Sequence, residues 1–227
     1  MYALGLRDGC RNDLNAFQKK LPKHLMHDLI REIRALAQTG LHYTKDPYDK
    51  ERFERLLEIS AALYSRTSSA DPETIEKFFI PEKGYATPKV DLRACAIRDD
   101  RVLLVRERSN GKWTLPGGWA DQNESPKEGV VREVFEESGF EIEVVSLYAL
   151  KDRDRHPYSP KYPVSLYKLF YTAEVTGGEP RDNIEISDID FFDIDDLPPL
   201  SEDRVLAADI IEGMNHYREA RGDAYSD

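Results

Sequence analysis

Three glutamates stand in one short stretch at spacings that could hold a cation. Glu133, Glu136 and Glu137 follow one another at i, i+3 and i+4. In a helix these positions share one face, where like charges cost roughly 0.2–0.5 kcal/mol per pair. The same run heads toward the helix C-terminus, where negative charge is disfavoured. Local propensity does not explain such a cluster. A hard divalent cation would, because it takes carboxylate oxygens as ligands. The alternative is a solvated acidic face with Arg132 paired to Glu128 or Glu136.

The element that must position these glutamates is legible around them. Ser125 is a good N-cap and Pro126 suits the first helical position. Val131, Val134, Phe135 and Ser138 fall on one face by three-and-four spacing, which is the expected buried stripe. Gly139 supplies a C-terminal stop. Upstream, Pro116-Gly117-Gly118 forms a tight glycine loop.

The whole stretch from Gly118 to Phe140 resembles the Nudix box. Gly118 is followed by five residues and Glu124, then by seven residues and Arg132-Glu133-Val134-Phe135-Glu136-Glu137-Ser138-Gly139-Phe140. Every fixed position of the pattern is matched, and the glycine loop precedes the helix at the family's spacing. The resemblance implies a loop-helix-loop that holds Mg2+ or Mn2+. It makes Glu133, Glu136 and Glu137 the carboxylate ligands and the Gly118 carbonyl a further one. It gives Arg132 and Glu124 the task of orienting those ligands. An acidic residue just upstream of the aromatic pair Phe191-Phe192 completes the site or acts as base in many members. Glu185 is the residue carried over, with Asp188 as competitor.

Composition sets outer limits. The chain has 227 residues and a formal net charge of −11. That charge argues against broad non-specific nucleic-acid binding, so an anionic substrate must be drawn in by metal and by placed arginines. Cys10 and Cys95 lie far apart, with no CxxC pair, which favours a reducing cytoplasm. No signal peptide, membrane-spanning run or internal repeat is evident.

Residues 1–20 are mixed, with a small basic cluster at Lys19, Lys20, Lys23 and His24 that reads as a solvated helix start. Leu25, Leu29, Ile33 and Leu36 mark a helix over 25–38 that stops at Gly40. Asp46 caps a second helix with Pro47 at its first position, carrying Phe53, Leu56, Leu57, Ile59 and Leu63. This αα-hairpin is too small to be stable alone. Its stretch ALAQTGLHYTKDPYDKERFERL resembles the N-terminal region of a Nudix subgroup acting on X-linked nucleoside diphosphates, which includes CDP-choline pyrophosphatase and ADP-ribose pyrophosphatases. The resemblance implies a homodimer built by these helices. Tyr43 and Tyr48 read as hairpin packing. Residues 65–76 read as a linker entering a short helix at Asp71-Pro72, and the domain boundary falls near residue 82, giving 1–81 and 82–227.

Beyond the boundary, strands are expected at 89–97, 101–107, 141–152 and 164–175. Asp99-Asp100 turns the first hairpin and Gly177-Gly178 turns the chain again. A terminal helix from Ser201 follows. Arg93 and Arg106 could reach a substrate phosphate. The charged, proline-rich loop 151–160 is a candidate specificity element, with Asp152 and Arg153 as substrate contacts. Trp113 reads as packed. His156 alone carries little weight as a ligand.

The expected fold is an α/β/α sandwich with a mixed sheet, preceded by a small helical domain. The expected chemistry is metal-dependent hydrolysis of a pyrophosphate, which releases a nucleoside monophosphate and a phosphorylated X. The hairpin and the His156-Pro157 loop tilt the substrate toward CDP-choline, with ADP-ribose next. RNA-end processing and a non-catalytic nucleotide sensor are the remaining alternatives. The intact box counts against the sensor.

Overall fold

The computed structural model describes residues 23–67, 84–121, 123–181 and 183–227, the side chains of 23–25 excepted. The expectations for residues 1–20, for the helix at Asp71-Pro72 and for a boundary near 82 lie outside those residues. The chain forms two compact units, Met1–Ala86 and Thr87–Asp227.

The first unit is a pair of helices, α1 (Lys23–Tyr43) and α2 (Pro47–Thr67). Asp46 caps α2 as expected, its carboxylate accepting from the N–H groups of Tyr48 (2.8 Å) and Asp49 (3.0 Å). Two expectations need correction. Gly40 does not stop α1, which runs on to Tyr43. A Cβ at Gly40 would lie 2.4 Å from the Phe53 ring, so the glycine lets the two helices approach. The buried stripe of α1 is also rotated. Ile30, Arg34, Ala37 and Gln38 are buried, while Leu29 and Leu36 are exposed. The helix α2 runs through Thr67, so the linker does not begin at Ser65.

The second unit is built on a seven-stranded mixed sheet, β1 (Lys89–Arg98), β2 (Arg101–Glu107), β3 (Trp113–Thr114), β4 (Phe140–Asp152), β5 (Leu166–Gly178), β6 (Ile186–Phe192) and β7 (Tyr225–Ser226). Asp99 and Asp100 both take positive φ, which makes the tight hairpin between β1 and β2. The two strands pair only near that turn, at Ile97–Val102 and Arg98–Arg101. Beyond it they diverge. The β2 strand pairs with β6 along its length and with β3 on its other edge. The β1 strand runs parallel to β5, which is antiparallel to β4. The fork between β1 and β2 admits the glycine loop. Leu92 N–H donates to the Gly118 carbonyl (2.8 Å), Ala94 N–H to Pro116 (3.0 Å) and Ala120 N–H to Val90 (3.0 Å).

Both faces of the sheet are buried. One carries Leu92, Ala94, Leu103 and Tyr171 against α3 (Pro126–Ser138). The other carries Cys95, Ile97, Leu104 and Phe170 against α4 (Ala207–Arg218). Val102–Val105 is apolar throughout because both sides meet a helix layer. The terminal helix starts later than expected. Leu206 is its N-cap and Asp209 accepts the Leu206 N–H at 2.8 Å, so Ser201 does not cap it. Among the described residues no helix is long and apolar enough to cross a membrane.

Candidate active site

The α3 helix begins as its sequence predicts. Ser125 accepts the Glu128 N–H and Glu128 accepts the Ser125 N–H, which completes a capping box. Gly139 closes the helix at φ 79°. The buried stripe is shifted from the expected one. Gly129, Val130, Val134 and Ser138 face the sheet, while Val131 and Phe135 remain exposed. That rotation turns Glu133 and Glu137 toward the glycine loop.

The contact between loop and helix is close. Gly117 N–H donates to Glu137 Oε2 at 2.8 Å. Gly117 has φ 140°, and a Cβ there would come within 2.0 Å of the Leu92 carbonyl oxygen, so only glycine fits. A Cβ at Gly118 would sit 2.7 Å from Glu133 Oε2. The loop and the acidic face are therefore folded closely against each other.

Arg132 ties the carboxylates together. Its Nε and Nη2 make a bidentate pair with Glu124 at 3.0 and 2.9 Å. Its Nη1 reaches Glu133 at 2.9 Å and Glu136 at 3.0 Å. Glu124 also accepts the Asp121 N–H at 2.8 Å, and with Arg132 bound its carboxyl is held down at about 2. Arg132 thus pairs with Glu136 as one of the alternatives allowed, and its other partners are Glu124, Glu133 and, at 3.6 Å, Asp121 rather than Glu128.

The electrostatics suit a cation. Burial pushes the Glu137 carboxyl up to about 7, against the pull of Arg93. Burial raises Glu133 as well, against Arg132. Carboxylates that lose water in this way are donors a hard divalent cation would stabilise. Among the described residues no three acidic, imidazole or thiol side chains already converge as a coordination cage, and Arg132 holds Glu136 to the side. The Gly118 carbonyl already accepts one hydrogen bond, from Leu92.

The other expected site residues are distributed. Glu185 is exposed in the segment before β6, its N–H bonded to Asn183 Oδ1 (2.7 Å). Asn183 in turn donates to the Glu136 carbonyl at 2.5 Å, which brings this segment to the α3 helix. Asp188 is paired with Arg106 at 3.2 Å, and Arg106 also donates to the Gly111 carbonyl. Arg93 points away from the α3 face, as its alternation with Leu92 and Ala94 requires, and is buried. It is 2 % exposed, paired with Asp91 through Nε (3.0 Å) and Nη2 (2.8 Å), and its Nη1 donates to the Leu115 carbonyl. Asp152 caps a short 3-10 helix, Arg153–Arg155, and its N–H is bonded to Asp227. Arg153 is 1 % exposed, its guanidinium 3.9 Å from the Tyr162 ring centre. Trp113 packs edge-on against Phe192.

Sequence reasoning missed several buried charges. Asp91 is shared by Arg93 and Lys168, both buried beside it. Burial opposes its ionisation, but the two cations outweigh that and hold its pKa well below the carboxylate range. Burial also brings Lys168 down to about 8. Lys151 pairs with Asp209 (2.9 Å) and Glu212 (2.6 Å), and Tyr158 donates to Asp209. Arg204, only half-buried, lies between Glu107 (3.3 Å) and Asp203 (3.6 Å). The available signal was charge at inward positions of otherwise apolar strands, as at Asp91, Arg93 and Lys168.

Comparison with known proteins agrees with this geometry. Residues 88–212 match the NUDIX domain family, and residues 26–79 match a family described as a UDP-X-like, N-terminal oligomerisation domain. The chain is 42% identical over 174 residues to YjhB of Bacillus subtilis (strain 168), whose name assigns it provisionally to the ADP-ribose pyrophosphatases. That match covers 77% of this chain and 83% of the relative. The crystal structure of a UDP-X diphosphatase is similar at 33% identity and a TM-score of 0.58, covering 90% of this chain and 99% of that one. An ADP-ribose pyrophosphatase from Streptococcus suis 89-1591 is similar at 35% identity and a TM-score of 0.57, covering 62% of this chain and all 100% of the other. With the box folded onto its glycine loop and the match running over most of the second unit, the chain belongs to the Nudix hydrolase family.

Proposed function

We propose that the protein is a divalent-cation-dependent pyrophosphohydrolase of nucleoside diphosphates linked to a second group X, with ADP-ribose as the leading substrate. The observation that carries this reading is the apposition of Glu133 and Glu137 to the Gly117-Gly118 loop. In it, Glu133, Glu136, Glu137 and the Gly118 carbonyl hold Mg2+ or Mn2+, and Arg132 and Glu124 keep the carboxylates in place. The bound cation supplies shielding of the phosphate oxygens and a lowered pKa for water. A carboxylate within about 2.6–3.2 Å of the attacking water takes its proton. A box glutamate or Glu185 fills that role. Water adds to one phosphorus of the pyrophosphate and the bridging P–O bond breaks. A nucleoside monophosphate and a phosphorylated X leave.

Of the substrate contacts expected from sequence, Arg106 is the exposed one. Arg93, Asp152 and Arg153 act from behind, by holding charge and loop in place. The relatives named for ADP-ribose move the preference away from CDP-choline, which stays beside it as the second candidate.

The exposed stripe of Leu29 and Leu36 on α1, with Leu56 and Ile59 on α2, supports association of two copies through the helical unit. A homodimer working in the cytoplasm, without nucleic-acid or membrane partners, is the assembly we expect.

The test is product analysis with purified protein, Mg2+ or Mn2+, and equal concentrations of ADP-ribose, CDP-choline and a UDP-sugar. Release of AMP and ribose 5-phosphate supports the reading. CMP and phosphocholine as the main products would restore the alternative. No cleavage with either metal would refute the enzymatic role.

A further inference from the structure

The segment between β5 and β6 is fastened on two sides. On one it meets the last turn of α3. Asn183 donates its side-chain amide to the Glu136 carbonyl at 2.5 Å, and Arg181 N–H donates to the Ser138 carbonyl at 3.2 Å. On the other it meets the end of β2. Arg108 N–H donates to the Glu185 carbonyl at 2.8 Å, which extends the β2–β6 ladder beyond the Glu107–Ile186 pair. Arg108 Nε donates to the Asn183 carbonyl at 3.2 Å. One arginine thus holds the residues on either side of Ile184. Two hydrogen bonds, both through Asn183, join its guanidinium to the backbone of Glu136. Ile184 itself is 91% exposed, so nothing in the second unit packs over this edge.

The charges along this edge are uneven. Glu133, Glu136 and Glu137 stand on α3, and Glu185 stands in the segment that Arg108 grips. The neighbouring cations are already engaged. Arg132 is shared among Glu124, Glu133 and Glu136. Arg106 is paired with Asp188. Arg181 lies over the Phe135 ring, 5.2 Å from its centre. Arg108 is exposed, and among the described residues neither a carboxylate nor an aromatic ring meets it. Its backbone N–H and its Nε are bonded, which leaves Nη1 and Nη2 as the donors still open. Such a side chain is partly ordered before any ligand arrives, and less freedom is lost when one binds. On a chain with a net charge of −11, a held but unneutralised guanidinium gives an anion a local place to bind.

We infer that Arg108 is a substrate-binding residue that takes a phosphate oxygen of the nucleotide. The inference rests on the pyrophosphohydrolase reading and adds to it a residue that lies outside the box and outside the arginines expected from sequence. A guanidinium suits this task because its planar fork can meet two phosphate oxygens at once.

The experiment compares the full-length protein with Arg108→Gln, Arg108→Lys and a control, Arg101→Gln, which removes the same charge at the opposite end of β2. It measures KM and kcat on the nucleotide that the wild type hydrolyses, and inhibition by inorganic pyrophosphate. Arg108→Gln is expected to raise KM about tenfold or more, with kcat much less affected, as loss of a charge-assisted hydrogen bond to a bound substrate does. Pyrophosphate inhibition should weaken in the same proportion. Arg108→Lys should recover part of the loss, and Arg101→Gln should keep the wild-type KM. Unchanged KM and inhibition in Arg108→Gln overturn the inference. A fall in kcat alone also overturns it, and makes Arg108 a support for the Glu185 segment. An equal rise of KM in Arg101→Gln overturns it too, as an effect of net charge. If Arg108→Gln does not fold, Arg108→Lys carries the comparison, and an unchanged KM for it overturns the inference. If the wild type cleaves no nucleotide, the pyrophosphohydrolase reading fails by itself. The rise in melting temperature caused by pyrophosphate with Mg2+ then decides the case for Arg108. A smaller rise in Arg108→Gln than in the wild type supports it, whereas equal rises, or none in the wild type, overturn it.

Discussion

Replacing Gly118 by alanine tests the site at its tightest contact. Gly118 has no positive φ, so an added methyl group brings no backbone strain. It brings only a collision, 2.7 Å from Glu133 Oε2 and 2.9 Å from its Cδ. Ordinary contact begins near 3.5 Å, so the Glu133 carboxylate must retreat by about 0.7 Å or more. Its side chain can move, but that disturbs the 2.9 Å bond to Arg132. A misplacement of about 1 Å in a catalytic constellation can cost on the order of a hundredfold in rate. Gly118→Ala is therefore expected to lower kcat/KM by about ten- to a hundredfold, with a higher metal concentration needed for half-activity and a nearly unchanged melting temperature. Steady-state hydrolysis across a Mg2+ titration, with circular dichroism for the fold, measures all three. Wild-type kcat/KM and metal dependence in a folded Gly118→Ala protein would refute the assignment of Glu133 to the cation.

Three further outcomes are expected. Gly117→Ala should cost the second unit on the order of 3 kcal/mol or more, since its Cβ meets backbone at 2.0 Å and its φ is 140°; chemical denaturation of the folded variant checks this, and a loss below about 1 kcal/mol contradicts it. In protein treated with EDTA, Glu137 should make stability fall with rising pH. Its folded value, about 7, lies above the ordinary 4.5. Its contribution is thus full below 4.5 and is lost as pH rises through 7, on the order of 3 kcal/mol in all. Melting curves from pH 5 to 8 should show that slope, flattened in Glu137→Gln, which should also lack activity; an equal slope in both proteins would count against it. Leu36→Glu, at an exposed apolar position of α1, should convert a dimer to a monomer in sedimentation equilibrium without unfolding it, whereas an undisturbed dimer places the interface elsewhere.

The elements that could be read from sequence are those whose causes are local. Ser125, Pro126, Glu128 and Gly139 fix both ends of α3 through neighbours in the chain. Asp46-Pro47 starts α2 and Asp99-Asp100 turns the first hairpin for the same reason. The apolar stripes were less certain guides. Leu29 and Leu36 have helical spacing on α1, yet the helix buries Ile30, Arg34 and Ala37. Periodicity reveals that a helix is amphipathic, but the partner chooses which arc is covered. On α1 the choice depends on how closely α2 can approach, and Gly40 sets that against Phe53.

By itself, then, the amino-acid sequence determined the loop-helix-loop, its three glutamates and the arginine among them, because those residues lie within one short segment with its own start and stop. The tertiary structure decided what surrounds them. The divergence of β1 from β2 makes the slot for Pro116–Ala120, which presses Gly117 onto Glu137. A sheet covered on both faces made Arg93, a candidate phosphate contact in the sequence, a buried partner of Asp91. Arg204 reached Glu107 only when the segment before α4 crossed β2's end of the sheet. Such encounters join positions far apart in the chain. No local propensity encodes them, and packing alone brings their charges together.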